Sequence, residues 1–199
     1  MNMENKQPVG INMNMCDDKE IVIPSVNREF INYLKDHPYE KQNIQTGNEK
    51  FEIQEIFEKK GDCVEGTICC AKQCWKGSVE VFINIKEFPK ERKTGFRCLT
   101  VPAQILGQGI GKILMLCVIQ VIKDFKEYYS INDTVELKGW LSFADKEIGN
   151  WNNSVPFYEN VGKKAETECY FTIKNDEQHY SAEEFLEKAN EDGYINYLV

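Results

Sequence analysis

Between residues 95 and 128 a β-prone segment passes, through three alternating glycines, into a long amphipathic helix. This junction restricts the chain's folding options more than any other feature. Gly95–Val101 (GFRCLTV) reads as a strand, and the turn Leu106-Gly107-Gln108-Gly109-Ile110-Gly111-Lys112 follows. Ile110, Leu114, Cys117, Val118, Val121, Ile122 and Phe125 then recur at three- and four-residue steps. That period predicts a helix from Ile110 to about Tyr128 with one apolar stripe. Glycines at such a joint let several N–H groups point into one concavity and let a ligand approach the backbone. The helix start adds unpaired N–H groups and a partial positive charge. With Lys112 alongside, the joint suits a phosphate or pyrophosphate. The bland alternative is a tight turn that only packs strand against helix.

The flanking segments set the fold class. Phe51, Ile53, Ile56 and Phe57 open a β-rich half. Cys63–Trp75 and Ser78–Phe88 read as a hairpin around Lys76-Gly77, and Val79, Val81, Ile83 and Ile85 alternate with Glu80, Phe82, Asn84 and Lys86. Downstream, Thr134–Phe143 and Glu166–Ile173 read as strands, and Val155–Asn160 as a short helix ended by Gly162. Ser181-Ala-Glu-Glu carries capping-box spacing and predicts a helix over Ala182–Asn190. Before residue 51, Glu20–Ile23 reads as a strand, Phe30, Ile31 and Leu34 as a brief helix, and residues 39–50 as a loop or short helix. The sum is an α/β (α+β) domain: a mixed, mostly antiparallel central sheet with helices on both faces.

At 199 residues the chain suits one domain. Residues 1–18, Asn-rich and holding four of the five methionines, read as a flexible leader to a single domain over 19–199. A net charge of −8 argues against nucleic-acid binding, which needs a basic stripe. The longest apolar run, Ile113–Ile119, is too short for a bilayer, and no signal peptide opens the chain. A cytoplasmic protein is therefore expected, with its eight cysteines reduced. Cys63, Cys69, Cys70 and Cys74 include no Cys-x-x-Cys pair and have no histidine near in sequence, so no metal site is assigned.

The glycine turn departs from two common phosphate loops. A Walker A loop fails because Leu106 and Ile113 occupy its first and last positions; a dinucleotide fingerprint fails because Lys112 holds its third glycine position. Val101-Pro-Ala-Gln-Ile-Leu-Gly-Gln-Gly-Ile-Gly-Lys-Ile-Leu-Met instead resembles the acetyl-CoA-binding motif of the GNAT superfamily of acyl-CoA N-acyltransferases. Gly109 and Gly111 take the two glycine positions, while Leu106 stands where that family usually has Arg or Gln. Asn152-Asn-Ser-Val-Pro-Phe-Tyr-Glu-Asn-Val-Gly162 is similar to the family's downstream Asn…Phe-Tyr…Gly segment.

The resemblance implies direct transfer of an acetyl group from acetyl-CoA to a primary amine. It implies that the pantetheine arm lies along Leu99, Thr100 and Val101. The pyrophosphate would rest on Leu106, Gly107, Gln108, Gly109, Ile110, Gly111 and Lys112, with Asn152 as a further contact. Tyr158 would protonate the departing thiolate, and a main-chain N–H at the end of strand 95–101 would hold the oxyanion. No general base stands out among Glu80, Glu87, Glu136 and Asp145, and Cys98 reads as core. An alternative on the same fold is a non-catalytic acyl-CoA-binding or regulatory module; a third reading is a nucleotide-binding protein. Residues 25–50 and 174–199 would shape the acceptor pocket. Tyr194–Val199 reads as an edge strand or an interface, so a homodimer is an expectation.

Overall fold

The computed structural model describes residues 41–47, 51–84, 94–147, 149–188 and 191–199. Their element order is β1 (Lys41–Gly47), β2 (Glu52–Lys60), β3 (Cys63–Lys72), β4 (Trp75–Asn84), β5 (Gly95–Thr100), a 3₁₀ turn at Ala103–Ile105, α1 (Ile110–Tyr128), β6 (Glu136–Leu141), α2 (Phe143–Glu147), α3 (Trp151–Lys164), β7 (Glu168–Ile173), α4 (Ala182–Glu187) and β8 (Gly193–Leu198). The strands form one eight-stranded sheet in the order β1-β2-β3-β4-β5-β6-β8-β7. Every pairing is antiparallel except β5 with β6. The mixed, mostly antiparallel α/β architecture expected from the sequence is what forms.

Alternation along the strands decides which face is covered. Ile53, Phe57, Val64, Ile68, Val79, Val81 and Ile83 are buried beneath α1, whose apolar stripe packs on β3, β4 and β5. α1 spans the expected residues, but its burial exceeds one stripe: Ile113, Met115, Leu116 and Ile119 are buried too, and α3 packs on α1. α3 and α4 pack on β7 from the same side, through Gly162 against Cys169 and Phe185 against Phe171. The described helices α1, α3 and α4 thus share one face. The helix expected around Phe30–Leu34, like the strand at Glu20–Ile23, lies outside the described residues.

Several local expectations change. Residues 41–47 form a strand, because all seven pair with β2; a polar stretch that is neutral by pattern is recruited by its neighbour's open edge. The β3–β4 turn falls at Gln73-Cys74, with Gln73 at φ 58, and Lys76-Gly77 sits inside β4. Gly77 is needed there for clearance: a Cβ would lie 2.9 Å from Ile110 and 3.0 Å from the Thr100 carbonyl. The short helix expected at Val155–Asn160 is a fourteen-residue helix that runs through both Pro156 and Gly162. Gly162 is a packing position, with Cys169 2.7 Å from where its Cβ would stand. The helix at Ala182 ends at Glu187, its capping box formed by Ser181 and Glu184. Residues 193–198 are no edge: β8 lies between β6 and β7, and Val135 and Val199 exchange two backbone hydrogen bonds of 2.9 Å beyond its end.

One core residue carries a charge-bearing group that the pattern hides. Glu55 of β2 points beneath α1 and is 1% exposed, and neither carboxyl oxygen has a hydrogen-bond partner.

Candidate functional site

The sheet opens where β5 and β6 run parallel. They pair only at Gly95↔Lys138 and Phe96↔Gly139 before the strands part. Gly139 makes even this approach feasible, since a Cβ there would stand 2.0 Å from the Phe96 ring. On its other edge β5 pairs with β4 at Arg97↔Glu80 and Thr100↔Ser78, with one extra residue in β5 between them. That bulge falls at Cys98, held at φ 54, a left-handed conformation costly for a residue with a Cβ. Cys98 is exposed, so its expected place in the core is overturned: the extra residue rotates the side chain out of the alternation. From Arg97 to Thr100 the β5 edge toward β6 carries no strand partner among the described residues.

The glycine turn stands at the upper end of this opening. Gly107 (φ 76) and Gly109 (φ 84) both need the left-handed region, and nothing lies within 4 Å of a Cβ at either position. Both face open space, so backbone conformation, rather than crowding, requires glycine there. Gly109 is the N-cap of α1 and supplies no side-chain cap. The N–H groups of Ile110 and Gly111 in the first helical turn therefore lack intrahelical acceptors. Leu106 is 68% exposed at the rim, Gly107 is exposed, and Gly111 and Lys112 are half-buried. Gln108 turns back to donate to the Gln104 carbonyl at 3.1 Å. Ile110 is buried, so only its backbone is available to a ligand.

The remaining sequence-chosen residues partly converge. A Cβ on Gly111 would lie 3.4 Å from Phe157 and 3.6 Å from Val101, which brings the turn, α1 and α3 together. Phe157 meets Tyr158 edge-on at 5.0 Å, and Tyr158 meets Phe96 at 5.8 Å. Tyr158 thus lies under the point where β5 and β6 part. Burial, and secondarily Asp145, push its phenol well above the ordinary tyrosine range, so it stays protonated. Leu99 and Val101 are half-buried, and Thr100, exposed, shares a hydrogen bond of 3.1 Å with Ser78. Asn152 is exposed in the first turn of α3, and no contact among the described residues joins it to the glycine turn.

The candidate bases are dispersed. Glu80 is held by Arg97 at 2.7 Å on the face away from α1. Glu136 bonds Tyr170 and Lys138, Asp145 is exposed on α2, and Glu87 lies outside the described residues. No group of three or more metal-ligating side chains occurs among the described residues. No helix among them is long and apolar enough to cross a membrane.

The residue pattern located the turn, and the resemblance set the pantetheine arm along an open edge at Leu99, Thr100 and Val101; the pattern by itself did not show where β5 and β6 part. On the β6 side the pattern offers one sign of it, Gly139 one residue before Trp140, a glycine in an otherwise good strand. The chain matches no protein-family profile, no curated protein and no solved structure.

Proposed function

We propose that this protein is an acyl-CoA-dependent N-acyltransferase that moves an acetyl group from acetyl-CoA to a primary amine. The observation that carries the reading is the parting of parallel β5 and β6 immediately after Phe96, with a bulge on β5 and the uncapped N-terminus of α1 at its mouth. An unpaired strand edge can accept the amide groups of a pantetheine arm as an added strand would be accepted. The N–H groups of the glycine turn suit the diphosphate. A main-chain N–H of the bulged stretch Cys98–Thr100 would face the thioester carbonyl and stabilise the oxyanion as charge develops.

In this reading the amine nitrogen attacks the carbonyl carbon, a tetrahedral oxyanion forms, and the C–S bond breaks with its electron pair on sulfur. The attacking nitrogen loses one proton to solvent. Tyr158 donates a hydrogen bond to the departing thiolate. Full transfer of its proton would run uphill, because burial raises the phenol above an ordinary thiol near 8.5. Its role is thus stabilisation of the thiolate, with solvent restoring the thiol.

Titration calorimetry with CoA and acetyl-CoA tests the binding half of this reading, and thiol release from acetyl-CoA across a panel of amines tests the chemistry. Binding heat and amine-dependent thiol release are expected; absence of any CoA heat at saturating concentration sinks the reading. A second reading, an acyl-CoA-binding module without turnover, draws on the scatter of Glu80, Glu136 and Asp145 away from a common point. It is distinguished by CoA heat without thiol release for any amine.

A further inference from the structure

On the face away from α1 and α3, strands β6, β8 and β7 align three rows of side chains: Glu136–Leu198–Glu168, Lys138–Asn196–Tyr170 and Trp140–Tyr194–Thr172. Asn196 is at the centre and fully buried. Its Nδ2 donates to Thr172 Oγ1 at 3.1 Å and to the Tyr194 carbonyl at 3.4 Å. A carbonyl only accepts, so the nitrogen must face it, and Oδ1 is the atom left over. Oδ1 has no hydrogen-bond partner. A buried amide oxygen without a donor bears the whole cost of its desolvation, which makes it a place for an incoming N–H. Above it the Tyr170 hydroxyl donates to Glu136, and Lys138 Nζ sits 3.0 Å from the same carboxylate. Trp140, 59% exposed, flanks the group on the side nearest the β5–β6 opening.

Resting on the acyltransferase reading, we infer that this face binds the amine acceptor, and that the acceptor is a linear polyamine with one ammonium between Asn196 Oδ1 and Glu136. The lysine already on Glu136 shows what the carboxylate takes, a primary ammonium. Lys138 is a placeholder whose side chain, 39% exposed, can swing to solvent when the ligand's ammonium displaces it. Pairing of Phe96 with Gly139 puts the Cys98 bulge level with Leu141, about three residues beyond Lys138 and Asn196 along the strands. With roughly 3.3 Å per residue and 4.8 Å between strands, the two points are on the order of 10 Å apart. A second amine about that far from the anchored one reaches the opening, passing over Trp140, whose face attracts a cationic chain. The chain's net charge of −8 favours such a ligand at long range.

Titration calorimetry of the full chain with spermidine and with n-butylamine, at fixed ionic strength, tests this. Wild type is expected to bind spermidine at least tenfold tighter than n-butylamine. Asn196→Leu should weaken spermidine at least tenfold without lowering the melting temperature, and Asn196→Asp should strengthen it. Lys138→Gln, which frees Glu136, should tighten spermidine several-fold and keeps the test available should Asn196→Leu fail to melt cooperatively. Equal weak heats for the two amines, or spermidine affinity unchanged in both Asn196→Leu and Lys138→Gln, overturn the inference. Titration of the same samples with CoA separates the two levels. CoA heat without spermidine heat removes the polyamine site alone. Spermidine heat that responds to both substitutions, with no CoA heat, keeps the site and removes the transferase reading.

Discussion

Replacement of Glu55 gives the sharpest test of how this fold is held together. Its carboxyl lies between β2 and α1 with both oxygens unpartnered. Cys117 and Asp124 interact with it from α1. Asp124 accepts from Gln120 at 2.8 Å. Burial first, and then Asp124, raise its pKa from 4.5 to about 7. In the unfolded chain the group releases its proton near 4.5; in the folded chain it holds that proton up to about 7. Between those values the native state binds more protons than the unfolded state, so stability falls as pH rises through this window and then levels off. The upward displacement of some 2.5 pH units corresponds to a loss of about 3 kcal/mol by pH 8. Glu55→Gln removes the titration while keeping shape, although a buried amide without partners retains part of the cost. Urea unfolding at pH 5 and pH 8 should therefore show the variant gaining on wild type by about 2–3 kcal/mol between the two pH values. A wild-type-minus-variant difference that is the same at both pH values would refute the reasoning.

Other consequences follow from single contacts. Gly139→Ala places a Cβ 2.0 Å from the Phe96 ring and should cost about 3 kcal/mol or more in urea unfolding, by forcing β5 and β6 apart. Gly109→Ala meets no atom within 4 Å but must hold φ 84; about 1 kcal/mol of stability should be lost in thermal melts, with a larger loss of any CoA-induced rise in melting temperature. Tyr158→Phe keeps the ring contacts with Phe96 and Phe157, so CoA heat should persist while amine-dependent thiol release slows about tenfold or more. Among the described cysteines, peptide-mapped alkylation should mark exposed Cys98 and Cys74 early and buried Cys70 and Cys117 last, and acetyl-CoA should slow Cys98 alone.

What the amino-acid order determined by itself is local. The period of residues 110–125 made α1, because one apolar stripe at helical spacing can be buried only as a helix. Alternation in Val79–Ile83 made a strand with one buried face, and Ser181 with Glu184 fixed where α4 begins. Gly107 and Gly109 marked the turn before α1, and the structure shows both in the left-handed region. Tertiary structure decided whatever depended on a distant partner. Lys41–Gly47 became a strand only because β2 offered an edge, and Gly162 lies inside a helix that packs on β7, where Cys169 leaves no room for a side chain. The β3–β4 turn lies three residues earlier because the ladder runs on through Cys70↔Gly77 to Lys72↔Trp75, which sets Gly77 against Ile110. The opening between β5 and β6, the exposure of Cys98 and the burial of Glu55 and Asn196 belong to the same class. A pattern along the chain records which residues seek a dry face; it does not record which strand arrives alongside, and that neighbour sets where the sheet parts and which polar atoms are left without partners.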